Sequence, residues 1–306
     1  MEEGYRNFYR NCYLRTHSYI PTKPLNENVY PGDFFQIRNG EMIVLGNIFR
    51  GGVIDSVECK FDPNVKLNPA NWIFNDGVTK PYSSRGTGQG PLEGQFEFSK
   101  QVLAFANRGS FFFKGNGPSA AKILNWNDFQ QQLIIKLTQT YYSFRELYVV
   151  TETVTLADYA LAISASSNGE MELASDEENG GLLEIFGHHS ARTLHSKNIE
   201  YYHREGKRRP AFFKGKKLVV QPEKLEVFIS ELKDQRQNRD EWASSFYAHD
   251  FHYEPTYTSQ VSSNTQASVL DMLQANELNI NTALLYFKWE DTTLDDVEKL
   301  FQTYGY

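Results

Sequence analysis

Residues 147–164 constrain this chain more than any other segment. Read with a period of two, Val149, Thr151, Thr153, Thr155, Ala157, Tyr159, Leu161 and Ile163 share one face that carries no charge. The opposite face holds Val150, Glu152, Val154, Leu156, Asp158, Ala160, Ala162 and Ser164, and both acids lie on it. Side chains of a strand alternate faces, so the pattern predicts one long strand able to meet apolar surroundings on one side and water on the other. Its length is roughly three times the usual ~5–6 residues. A bilayer crossing takes about 9–11 residues when the strand is tilted. Alternating strands are also common in soluble sheets, so the pattern by itself leaves both settings open.

The residues that open this strand narrow the choice. Tyr148-Val149-Val150-Thr151-Glu152 follows a predicted helix at 126–140, where Trp126, Phe129, Leu133, Ile134 and Leu137 sit at helical spacing. In that position it resembles the corresponding element in the pore-forming domain of gasdermins. The run Arg209-Pro210-Ala211-Phe212-Phe213-Lys214-Gly215-Lys216-Lys217-Leu218-Val219-Val220 is similar to the family's last core strand. Pro24-Leu25 and Tyr30-Pro31-Gly32-Asp33 resemble the short bacterial and fungal members. The order of elements agrees with the resemblance over roughly residues 16–232.

The resemblance implies an α+β protein with a twisted, largely antiparallel central sheet flanked by helices, and a small, mostly helical C-terminal region. The expected division is a pore-forming domain at 1–240 and an acidic inhibitory region at 241–306. The last part does not match the large repressor domain of vertebrate members and is longer than bacterial tails. The implied activity is not catalytic. A soluble cytoplasmic monomer, freed by an activating protease or a displacing partner, would bind anionic membrane lipids and oligomerise into a β-barrel pore that kills the cell. A soluble interaction protein using its acidic tail to bind a partner is the alternative expectation.

Charge supports a two-part reading. Residues 241–306 hold ten acids against Lys288 and Lys299, a balance of −8, while the whole chain carries −7, leaving +1 for residues 1–240. Such asymmetry suggests units with different jobs. No stretch approaches 18 uninterrupted apolar residues, the length a membrane-spanning helix needs, and the start lacks the basic-then-apolar layout of a secretory signal. Cys12 and Cys59 are too few for a disulfide framework.

The remaining pattern places the candidate sites. Tyr5, Phe8, Tyr9, Cys12 and Tyr13 predict a short amphipathic helix decorated by Arg6, Arg10 and Arg15, able to lie on a membrane or pack on the body. Arg192, Lys197, Arg204, Lys207, Arg208, Arg209, Lys214, Lys216 and Lys217 face only Glu200 and Glu205 within 191–220. With Arg6 and Arg10 they are the candidate contacts for anionic head groups, each adding about 1 kcal/mol near a charged leaflet. A solvated strand edge guarded by lysine gives the same pattern, and no nucleic-acid motif accompanies it. Arg236, Arg239 and Asp240 lie in a wholly polar stretch read as the cleavage hinge. Cys12 is either a packed thiol or, as in some bacterial relatives, an acylation site. No cofactor motif appears, and His188, His189, His195 and His203 lack metal-ligand spacing. Asn39-Gly40 predicts a hairpin, 62–91 reads mostly as loop, and 222–237 reads as a helix.

Overall fold

The computed structural model describes residues 2–89, 95–138, 147–175, 185–221, 284 and 287–302. Helix α1 (Glu2–Arg15) forms as its apolar spacing requires and buries Phe8, Tyr9 and Cys12. It ends in a turn where the Ser18 N–H bonds the Tyr13 carbonyl and His17 takes φ 60°, a left-handed position more often given to glycine. Strands β2 (Asp33–Arg38) and β3 (Glu41–Asn47) make the expected hairpin. Asn39 and Gly40, at φ 52° and 77°, supply the two left-handed residues of its turn.

Most of the body is a ribbon of four chain runs laid side by side in sequence order. The first holds β4 (Phe61–Lys66), β5 (Ile73–Asp76) and β6 (Val78–Gln89), and the second β7 (Gln95–Phe105), β8 (Phe111–Asn116) and β9 (Ser119–Ile123). The third holds β10 (Leu147–Leu156), β11 (Asp158–Ser164) and β12 (Gly169–Ser175), and the fourth β13 (Arg192–Lys197), β14 (Ile199–Glu205) and β15 (Arg209–Val220). All neighbours pair antiparallel. The runs break at two common levels, so the ribbon divides into β4-β9-β10-β15, then β5-β8-β11-β14, then β6-β7-β12-β13. The first of these sheets is widened by β1 (Ile20–Pro21), β2, β3 and β16 (Phe287–Asp291). This is the mostly antiparallel α+β architecture expected.

Each break has a local cause. At the first level the chain turns at 67–72, Gly117-Pro118, Ala157 and 206–208. Gly117, at φ 56°, lets its backbone approach the methyl of Ala157, and the Ala157 N–H bonds the Asn116 carbonyl. At the second level every run contains a left-handed residue: Gly77 (φ 64°), Gly109 (φ 76°), Asn168 (φ 59°) and Asn198 (φ 56°). Bonds from Ala106 N–H to Gly77, Gly109 N–H to Ser164 and Ala165 N–H to Asn198 carbonyls tie the crease across the ribbon.

The single strand expected at 147–164 is therefore two, β10 and β11, in different sheets. The turn at Ala157 exchanges the residues that face the largest core, from even-numbered positions in β10 to odd-numbered ones in β11. Tyr148, Val150, Val154 and Leu156 share the largest core cluster with Tyr159, Leu161 and Ile163, whereas Val149 lies with Leu147 in a second cluster. Val149, Thr151, Thr153, Thr155, Ala157, Tyr159, Leu161 and Ile163 are consequently not one face. Thr153 is buried, Thr151 and Thr155 are half-buried, and Ala157 is exposed at the corner.

Helix α2 (Trp126–Thr138) buries Trp126, Phe129, Leu133, Ile134 and Leu137 against the second cluster. The third cluster, with Leu103, Phe105, Phe112, Ala160, Ala162, Met171 and Leu173, lines one side of the two distal sheets. Residues 62–91 were expected as loop, yet β4, β5 and β6 occupy most of them through Gln89. Their Pro, Gly and Ser content is accommodated because ladder shifts and corners fall there. Ile185 and Phe186 are buried and join the third cluster. The expected helix at 222–237 and the connector after it lie outside the described residues.

Candidate membrane-facing edge and its C-terminal cover

β15 carries Lys214, Lys216 and Lys217 along the edge of the first sheet, paired on one side to β10. On its other side β16 adds a further strand, in register from Lys216 opposite Asp291 to Val220 opposite Phe287. The cover then turns through Thr292, whose N–H bonds the Gly215 carbonyl, into α3 (Leu294–Lys299). Gly215 allows a close approach here: a Cβ would lie 3.0 Å from the Val149 carbonyl oxygen and 3.5 Å from the Thr292 methyl.

The acids of this cover meet the cations of the body. Asp291 pairs with Lys216 at 2.7 Å and Asp296 with Lys217 at 3.0 Å. Glu298 pairs with both Arg6 and Arg10 of α1, the latter at 3.2 Å. Asp296 is the most enclosed, at 1% exposure. It accepts from the Thr293 N–H at 2.7 Å, the Thr293 hydroxyl at 3.0 Å and the Tyr148 hydroxyl at 2.9 Å. Burial alone would push its carboxyl up, but the Thr293 N–H, the Lys217 ammonium and the Tyr148 hydroxyl together hold it below its ordinary value. Lys23 donates to the Leu300 carbonyl and stands over the Phe301 ring at 4.4 Å.

Apolar contacts fix the same segment. Val297 and Leu300 enter the largest core cluster, and Phe287 enters the cluster beneath α2. Trp289 packs edge-on to Trp126 at 5.3 Å and donates its indole N–H to the Gln130 carbonyl at 3.0 Å. The cover is thus a strand, a turn and a short helix built into the body's own sheet and core. A helical C-terminal region was expected and α3 is one, but Phe287-Lys288-Trp289-Glu290-Asp291 is too short for its period to mark a strand.

The eleven candidate lipid-binding residues do not form one patch. Lys216 and Lys217 lie under the cover and the exposed Arg6 and Arg10 pair with its Glu298, while Arg192 and Lys197 sit on β13, a wholly exposed strand in the third sheet. Arg204, on β14, donates to the His189 carbonyl at 2.7 Å. Lys207, Arg208 and Arg209 stand at the corner between β14 and β15, where Arg208 donates to the Ser119 hydroxyl at 3.0 Å and Arg209 pairs with Glu205 at 3.0 Å. Lys214 turns into a separate cleft with Glu152.

Cys12 is fully enclosed in the largest cluster, where burial pushes its thiol up, so an acyl chain on it would require α1 to leave the body. Arg236, Arg239 and Asp240 lie outside the described residues. His188 and His189 lie in a turn with ring centroids 4.4 Å apart and planes tilted by 39°, apart from His195 on β13 and His203 on β14. No helix among the described residues is long and apolar enough to cross a membrane.

No family model and no curated protein matches the chain. Among solved structures it is similar to the gasdermin A3 membrane pore determined by cryo-EM, at 9% identity over 62% of this chain and 76% of that chain. The TM-score is 0.24.

Proposed function

We propose that the chain is a gasdermin-type pore former held inactive by its C-terminal segment. The observation that carries this reading is the ribbon of four antiparallel runs creased across at one level by Gly77, Gly109, Asn168 and Asn198. Straightened there, residues 73–89 with 95–116 and 158–175 with 192–205 become two long hairpins. Each strand then exceeds the ~9–11 residues a tilted crossing needs. The face bearing Leu103, Phe105, Phe112, Ala160, Ala162, Met171 and Leu173 meets hydrocarbon. The opposite face near the tips, where Lys100 pairs with Glu172 at 2.6 Å, meets water. This stripe replaces the one expected at 149–163. Many copies close into a barrel because only a closed barrel satisfies every backbone group in lipid.

In this reading the cover holds the stored form. Its departure, permitted by cleavage near Arg236, Arg239 and Asp240 or driven by a displacing partner, frees Arg6, Arg10, Lys216 and Lys217 from their carboxylate partners for anionic head groups, and the cell that makes the protein is permeabilised. The tail-as-scaffold alternative has less support, since Glu290, Asp291, Asp296 and Glu298 are already paired within the chain. Dye release from phosphatidylserine vesicles tests the reading on a chain carrying an inserted protease site at residue 240. Leakage is expected only after cutting; a cut protein that binds vesicles without leakage overturns it.

A further inference from the structure

A cleft of about 420 Å³ opens between the end of α1, the turn at Pro69–Trp72 and the ribbon's first corner. Three lysines from three elements line it: Lys66 of β4, Lys122 of β9 and Lys214 of β15. The only carboxylate among its described lining residues is Glu152 of β10. That carboxylate is buried and already engaged, accepting from the Tyr19 hydroxyl and standing 3.7 Å from Lys122. Lys214 rests its ammonium over the Tyr19 ring at 4.2 Å. His17, in its left-handed position at the end of α1, completes the rim, and Trp72 forms part of the wall.

Three like charges gathered around one satisfied acid repel one another unless an anion joins them. Burial adds to this by holding the Lys214 ammonium below its ordinary value, an effect Glu152 offsets only in part. The volume falls in the ~300–1,000 Å³ range of small-molecule sites, well beyond a lone chloride. Lysines suit phosphate as point charges, and Asn68 and Asn71 also line the cleft. We infer that this cleft binds a phosphate-bearing small molecule, with Lys66, Lys122 and Lys214 as its cationic contacts. The site lies on the intact chain and does not depend on the pore reading, since it is measured without leakage.

The test is calorimetric titration of the full chain with inorganic pyrophosphate, and flotation with vesicles of phosphatidylcholine containing phosphatidic acid. Saturable binding of pyrophosphate, weakened about tenfold by Lys214→Met and by the exposed Lys66→Met, is expected, and it identifies a soluble ligand. Glu152→Gln, which removes the opposing charge while keeping an acceptor for Tyr19, is expected to tighten binding severalfold. Flotation that falls in the same lysine variants without any pyrophosphate binding supports the site and identifies a lipid head group. Binding that is absent from both arms, or unaltered by Lys66→Met and Lys214→Met together, overturns the proposal.

Discussion

Asp296 is the residue on which the cover's hold concentrates, and Asp296→Asn isolates its charge. The substitution keeps the shape and an acceptor for the Thr293 N–H, but removes the anion facing Lys217 at 3.0 Å and Lys299 at 3.7 Å. Leaving one member of a fully buried pair behind costs about 3–5 kcal/mol. Here the lysine side chains remain 18% and 32% exposed, so water recovers part of the loss. Hydrogen bonds to charged groups are worth about 1.5–3 kcal/mol, and a value near 2 kcal/mol follows, equivalent to roughly a thirtyfold shift in the opening equilibrium. Amide exchange of the full chain reads this directly. Amides of β16 and the facing part of β15 are expected to exchange about thirtyfold faster, while those of β7 and β12 in the distal sheet keep their rates. Asp295→Asn, at an exposed position of the same helix, is the control. Acceleration that is equal throughout, or less than about threefold at β16, would refute the reasoning.

Acid is expected to loosen the same contact. The Asp296 carboxyl is held below its ordinary value, so its contribution is complete above the unfolded value of about 3.9 and is lost as pH falls through the lower folded one. The difference in melting temperature between the parent chain and Asp296→Asn should be constant from pH 7 to 5 and narrow progressively as pH falls below about 4; a gap that does not narrow in acid contradicts this. At the second crease, Gly77→Val forces a β-branched residue to φ 64° and sets its Cβ 2.3 Å from the Ser110 hydroxyl. Left-handed backbone and overpacking together cost about 2–4 kcal/mol, so the stored form should melt at a lower temperature and leak faster once cut. An unchanged melting temperature would show that Gly77 is not held at the crease.

The sequence was most legible where local chemistry decides the outcome. α1, α2 and the Asn39-Gly40 hairpin follow from spacing and turn residues that need no distant partner. Period-two reading failed at 147–164 because it cannot register the corner at Ala157, and a one-residue break exchanges the faces of everything beyond it. It failed at 62–91 because Gly and Pro mark corners of a strand run as readily as loops. The acidic excess after residue 240 was visible, but its partners were not. That Glu298 meets Arg6 and Arg10, nearly the whole chain away, is a property of the fold alone.

The way the cover is held implies that cutting the chain would not by itself release it. Phe287, Val297 and Leu300 are all but fully buried, and at about 1.5–3 kcal/mol each they contribute roughly 5–9 kcal/mol before β16's ladder and the ion pairs are added. With the ladder and ion pairs added, the sum reaches the roughly 8 kcal/mol of micromolar association, so a nicked chain at about 10 μM keeps its cover by mass action. What competes is a surface offering many anions at once to Arg6, Arg10, Lys216 and Lys217, with hydrocarbon nearby for the uncovered apolar face. A bilayer rich in phosphatidylserine does both, and a neutral bilayer supplies only the second. Nicked protein should therefore elute from gel filtration as one species in buffer and with phosphatidylcholine vesicles, and should shed its C-terminal fragment only when anionic vesicles are present. Spontaneous separation in buffer would mean that the core contacts of Phe287, Val297 and Leu300 contribute far less than their burial indicates.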